Sequence, residues 1–157
     1  MNISLDQLKK LREETSAGVS DCRQALEDAH GDFEKAKKLI IVRGVAKAAK
    51  KQDREASQGI IESYVHATGK VGVLLELRSE TDFVARTDDF KKLAHEIALQ
   101  VAAMQPSSQE DLLQSPYIRD ASITIGDLIK QVIAKVGENV TIARFTRMQL
   151  GDTIKRE

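Results

Sequence analysis

The chain has 157 residues, and its 24 Lys+Arg are balanced by 24 Asp+Glu, so it carries no formal net charge. That balance excludes a general attraction to nucleic acid or to anionic membranes, while a single cysteine, Cys22, excludes an internal disulfide framework and fits a reducing compartment. Apolar runs such as Leu39 to Val42 are far too short to cross a bilayer. Residues 1–15 lack the apolar stretch of a signal peptide. The expectation is a soluble intracellular protein, and the start at Met1 favours a bacterial cytoplasm over an organelle matrix.

Residues 1–44 read as a three-helix module. Ser4 and Gln7 have capping-box spacing, and Ile3 and Leu8 have the spacing of a hydrophobic staple. Leu5, Leu8 and Leu11 then line a first helix running to about Thr15, followed by a turn at Ser16-Ala17-Gly18. Val19, Cys22, Ala25, Leu26 and Ala29 form the apolar stripe of a second helix, with Gly31 as its stop signal. Asp32 caps a third helix carrying Phe33, Ala36 and Ile40, which the sequence predicts to stop at Gly44. So small a unit buries little surface and would be marginal alone. Its plan resembles ubiquitin-associated (UBA-like) modules.

Residues 45–57 read as a basic connecting helix and linker. From position 35 to 54 the chain carries Lys35, Lys37, Lys38, Arg43, Lys47, Lys50, Lys51 and Arg54 against Asp53 alone, eight cations less one acid, or +7. Such a run is either a solvated face or a patch for an acidic partner or RNA. No aromatics interleave with the cations, which argues against stacking on single strands.

Residues 58–157 read as an α+β core. Gly59 to His66 and Val71 to Leu77 are β-rich runs joined by the hairpin signal Ala67-Thr68-Gly69-Lys70. Phe90, Leu93, Ala94, Ile97, Ala98, Val101 and Met104 keep helical spacing up to Pro106. Residues 105–122 read as a loop with one turn of helix. A last helix carries Leu128, Ile129, Val132, Ile133 and Val136 and stops at Gly137, and Val140 to Leu150 is a third strand whose alternation falters near Arg144 and Phe145. The fold class is therefore α+β: a UBA-like three-helix module, then a three-stranded antiparallel sheet with helices packed on one face.

Catalytic chemistry finds no support, and no cofactor or metal is expected. His30, His66 and His95 lie in separate elements without metal-ligand spacing to Cys22. Cys22 sits on an apolar stripe, as an inert buried thiol would. Gly59, Gly69 and Gly72 mark a hairpin rather than a phosphate cradle. The most informative stretch is Ser79-Glu80-Thr81-Asp82-Phe83-Val84-Ala85-Arg86, between the second strand and the long helix. An aromatic in such a connection either plugs the core or projects toward a partner.

Three segments together resemble the translation elongation factor Ts family: Leu11 to Leu26, with Thr15-Ser16-Ala17-Gly18-Val19-Ser20-Asp21-Cys22; Gly59-Ile60-Ile61 through Thr81-Asp82-Phe83-Val84-Ala85; and Ile133 to Asn139 with the strand after it. They occur in family order and cover most of the chain. The resemblance implies a non-enzymatic guanine-nucleotide exchange factor whose partner is the GTPase elongation factor Tu. It implies that Thr81, Asp82, Phe83 and Val84 dislodge the partner's magnesium, with Asp82 and Phe83 as the wedge. It also implies that Arg12, Val19 and Ser20 touch the same partner domain. The family pattern has Gly at the Ser16 position and a Met pair at Val19-Ser20, so this contact surface is smaller and less adaptable here. Residues 105–122 are short against the family's longer, helix-containing segment. A single core unit implies a homodimer. The alternative reading is an RNA-binding module using the basic stretch at 35–54; under the resemblance no direct nucleic-acid contact is expected.

Overall fold

In the computed structural model, which describes residues 3–152, seven helices and a three-stranded antiparallel sheet form an α+β fold. Residues 1–2 and the end of the expected core region, 153–157, lie outside the described residues.

The N-terminal helices are α1 (Leu5–Thr15), α2 (Val19–Asp28) and α3 (Phe33–Ala49). Leu11, Cys22, Ala25, Leu26, Ala29 and Ala36 bury together, with Ile3, Leu8 and Phe33 packed against them. Ser4 caps α1, its hydroxyl accepting from the Asp6 N–H. Gln7 does not complete a capping box; its amide reaches across to the Gly31 carbonyl at 3.5 Å and ties the start of α1 to the α2–α3 turn. Asp32 caps α3 through the Lys35 N–H, as expected.

The third helix does not stop at Gly44 but runs on to Ala49. Glycine there meets a packing demand, not a termination signal. A Cβ built on Gly44 would lie 2.9 Å from the Ala134 methyl of α7 (Ile125–Val136), closer than real side chains approach. With 17 residues, α3 is about 25 Å long. Its Ala36 belongs to the first cluster and its Ala48 to the second, so one helix serves both.

The sheet has the order β1-β2-β5, from β1 (Gln58–Val65), β2 (Val71–Ser79) and β5 (Val140–Gln149). Glu76 faces Arg144 while Leu77 faces Ile142, so Ala143 is an extra residue and β5 is bulged there. This bulge accounts for the faltering alternation in the sequence. Val73, Leu75 and Leu77 turn inward under α5 (Asp88–Met104), whose Phe90, Leu93, Ala94, Ile97, Ala98 and Val101 fill the main core. Ile61, Val65, Leu74 and Met148 are exposed on the opposite side.

Between α5 and α7 the expected loop holds α6 (Gln109–Gln114) and a hairpin of β3 (Pro116–Tyr117) and β4 (Asp120–Thr124). The hairpin is pinned to α5 by buried polar groups. Glu96 accepts from the Tyr117 hydroxyl and the Arg119 guanidinium, both at 2.6 Å, while Gln100 donates to the Pro116 carbonyl and accepts from the Ile118 N–H. Burial opposes ionisation of Glu96, but the Arg119 and Tyr117 hydrogen bonds outweigh it and hold the carboxyl below its ordinary value. Burial and the Glu96 charge push the Tyr117 hydroxyl up to about 12.

Two outcomes follow from these contacts. Gly44→Leu will force α3 away from α7 and cost about 1–3 kcal/mol, read as a lower thermal midpoint. Ala134→Gly in the same chain will recover part of the loss. Glu96 has a lowered folded-state pKa, so its stabilisation is present above the unfolded value and disappears as pH falls through the folded one. Acid titration of the melting temperature will show that decline, and Glu96→Gln will flatten it.

Candidate functional site

The Ser79–Arg86 connection is short, held by hydrogen bonds, and turned outward at Asp82, Phe83 and Arg86. Ser79 is fully buried and donates its hydroxyl to the Thr81 carbonyl at 2.9 Å. Thr81 is extended, with φ −125° and ψ 157°, and its hydroxyl accepts from the Val84 N–H at the start of α4 (Asp82–Ala85). Thr87 then caps α5, accepting from the Phe90 N–H at 3.3 Å while donating to the Val84 carbonyl at 2.7 Å. A single helical turn is thus held between two threonine caps.

This turn divides the four expected site residues. Val84 and its neighbour Ala85 face the core. Phe83 is 80% exposed, the most exposed large apolar side chain among the described residues. Asp82 is exposed beside it and pairs with Arg86 at 2.7 Å. Thr81 is half-buried and held by Glu138, whose carboxylate accepts from both the Thr81 N–H and its hydroxyl. Phe83 does not plug the core.

Arg12 lies in the last turn of α1, and Val19 and Ser20 open α2 across the intervening turn; all three are exposed. Ser16 in that turn adopts a left-handed conformation, φ 53°. Glycine would hold that backbone with less strain.

The cations of the basic stretch are largely engaged within the chain. Lys37 pairs with Glu14 at 2.8 Å, Arg43 with Asp28, and Lys47 with Asp21 at 2.9 Å, each acid belonging to α1 or α2. The Lys37 ammonium holds the Glu14 carboxyl low, as the Arg43 guanidinium does for Asp28. Lys51 donates to the Gly137 carbonyl at 2.8 Å, and Arg54 lies 3.6 Å from Glu80. A solvated face with its own counter-charges describes the stretch better than an open cationic patch.

Burial raises the Cys22 thiol above its ordinary pKa, against the opposing effect of its hydrogen bond with Thr15. Such a thiol is a poor nucleophile. No group of three His, Cys, Asp or Glu side chains among the described residues is placed to hold a metal ion. A cleft of about 500 Å³ between α6, α7 and β5 has Lys130 as its one ionisable lining residue, so it holds no acid–base pair. No helix among the described residues is long and apolar enough to cross a membrane.

Sequence reasoning missed the anchors of the loop: Glu138, Asn139 and Glu80. Glu138 and Asn139 stood inside the third motif, but a carboxylate after a helix-ending glycine carries no local pattern that names a partner 57 residues away.

The fold is α+β, and its Ser79–Arg86 loop leaves the Phe83 ring exposed on a capped helical turn. A family model for elongation factor TS matches residues 80–156. Elongation factor Ts of Fervidobacterium nodosum is 43% identical over 97% of this chain and 100% of that protein. Its counterpart from Coprothermobacter proteolyticus is 44% identical, again over 97% of this chain and 100% of that protein. The Thermotoga maritima protein is 41% identical over 97% and 98% respectively. The chain belongs to the elongation factor Ts family, and so to the elongation factors of protein biosynthesis. The Fervidobacterium alignment runs over 197 positions, whereas 97% of 157 residues fills only about 152, so that relative has about 45 residues for which this chain has none.

An 80% exposed side chain contributes little to the folded state. Phe83→Ala will therefore shift stability by no more than about 0.5 kcal/mol, measured as an almost unchanged thermal midpoint; a large drop would place Phe83 in the core.

Proposed function

We propose that this chain is a guanine-nucleotide exchange factor that promotes GDP release from elongation factor Tu during translation elongation. Phe83 and Asp82 act as the wedge that displaces magnesium and remodels the nucleotide site. The observation that carries the reading is the outward Phe83 on a helical turn whose neighbours are capped and buried. Membership of the family supports it.

No bond is made or broken in such a reaction; the factor works by linkage. A GTPase holds GDP through a phosphate-cradling loop and a magnesium ion. A protein that binds the nucleotide-free state better weakens nucleotide affinity by the same factor. Phe83 buried only in that state supplies about 2 kcal/mol, which is about thirtyfold. The remainder comes from the contact of Arg12, Val19 and Ser20 and from the core. Residues 1–44 form the first contact module, 45–57 the connection and 58–157 the core. The site of action is the cytoplasm.

The same reading includes a homodimer through the uncovered sheet face. Ile61, Val65, Leu74 and Met148 form an exposed apolar set spanning all three strands, which supports burial against a second copy.

Stopped-flow release of fluorescent GDP from elongation factor Tu will be accelerated by the chain, and Phe83→Ala will lose most of the acceleration. No acceleration with both proteins folded and competent would overturn the exchange reading. Leu74→Arg will shift the chain from dimer to monomer in sedimentation; an unchanged mass would remove the sheet face from the dimer.

A further inference from the structure

The turn Gly137–Asn139, between α7 and β5, makes a set of contacts to which the exchange reading assigns no role. Glu138 Oε2 accepts from the Thr81 N–H at 3.0 Å, and Oε1 accepts from the Thr81 hydroxyl at 2.7 Å. The hydroxyl has one proton. With that proton committed to Glu138, its lone pairs are left for the Val84 N–H, 3.5 Å away, which is the cap of α4. The Thr81 carbonyl accepts from the Ser79 hydroxyl and the Ala85 N–H. All three polar groups of Thr81 are thereby fixed.

The neighbouring residues of the turn hold the segment leaving α3. The Asn139 N–H donates to Glu80 at 2.7 Å, and its side-chain amide donates to the carbonyls of Gln52 at 3.2 Å and Arg54 at 2.6 Å. The Gly137 carbonyl accepts from Lys51. Three consecutive residues thus anchor both the loop that presents Phe83 and the segment leading back to the N-terminal module.

We propose that Glu138 is a positioning residue for exchange. Its carboxylate fixes Thr81 and, through the Thr81 cap, holds α4 so that Phe83 is presented in one orientation before the partner arrives. The inference rests on the exchange reading above. Glu138 acts through Phe83 and supplies no contact with nucleotide. Its value is preorganisation: the loop is already held in the free protein, so seating Phe83 in the nucleotide-free state, the step after first binding, does not bear that entropy.

The test uses the full chain with Glu138→Ala and Glu138→Gln. Amide hydrogen exchange will show lost protection at Val84 and Ala85 in Glu138→Ala, with Ile97 in α5 unchanged. With fluorescent GDP on elongation factor Tu, the maximal release rate will fall about tenfold, the equivalent of fixing roughly one residue's backbone. The concentration for half-maximal effect will stay the same. Glu138→Gln, which keeps one acceptor, will fall between. In a Phe83→Ala background, Glu138→Ala will have no further effect. The same loss in both backgrounds, or unchanged protection at Val84, would overturn the proposal. If the unsubstituted chain fails to accelerate release, the exchange reading falls, and hydrogen exchange alone decides whether Glu138 positions the loop. Should Glu138→Ala fail to fold, Glu138→Gln carries the same comparisons.

Discussion

The missing side chain at Gly44 lets α3 lie directly against α7, and the placement of the functional elements depends on that approach. Its N-terminal half closes the first cluster through Ala36, and Ala48 enters the main core. Just past the helix, Lys51 meets the carbonyl of the turn that ends α7. Displacing α3 by even a methyl group would disturb the same turn that holds Thr81. The ion pairs along α3 are exposed and individually worth little. The tight helix crossing and the two buried clusters carry the arrangement.

Within the Ser79–Arg86 loop, inward and outward residues have opposite duties. Val84 and Ala85 are sealed into the core, and Thr81 is tied down at each polar group. Asp82, Phe83 and Arg86 are the exposed side chains, and of these Phe83 alone lacks an ion-pair partner within the loop. An aromatic ring left in water is unfavourable in the isolated protein and becomes a gain when covered. A rigid base under the ring keeps that gain from being spent on ordering the loop.

Much of this was legible in the sequence because the relevant signals are local and periodic. The α5 stripe from Phe90 to Val101, the Asp32 cap and the Gly137 stop all appear where the pattern puts them, while Met104, which the spacing also placed on the stripe, is exposed at the helix end. Even the Ala143 bulge left a trace, in the alternation that fails near Arg144. The misreadings have one physical origin: a tertiary partner overrode a local rule. Gly44 looked like a helix stop because isolated glycine usually punctuates, yet its role is set by Ala134 on another helix. Gln7 had capping-box spacing but found the Gly31 carbonyl instead. The β3–β4 hairpin is too short to show a period of two, and only the Glu96 knot beneath it explains why it forms. The loop's exposed tip could be singled out from sequence, but its anchor could not, since Glu138 and Thr81 meet only in the folded chain.

The strand order has a consequence for how the molecule is made. Strand β2 is central, yet one of its two neighbours, β5, is encoded more than sixty residues later. The N-terminal cluster, by contrast, closes among residues 3–40. During synthesis the helical module can therefore fold while β2 still lacks a partner along one edge. Until β5 arrives, that edge presents unpaired backbone beside Leu75 and Leu77. Completion of the sheet thus waits on a long-range pairing, and until it forms the open edge of β2 is the exposed part of the nascent chain.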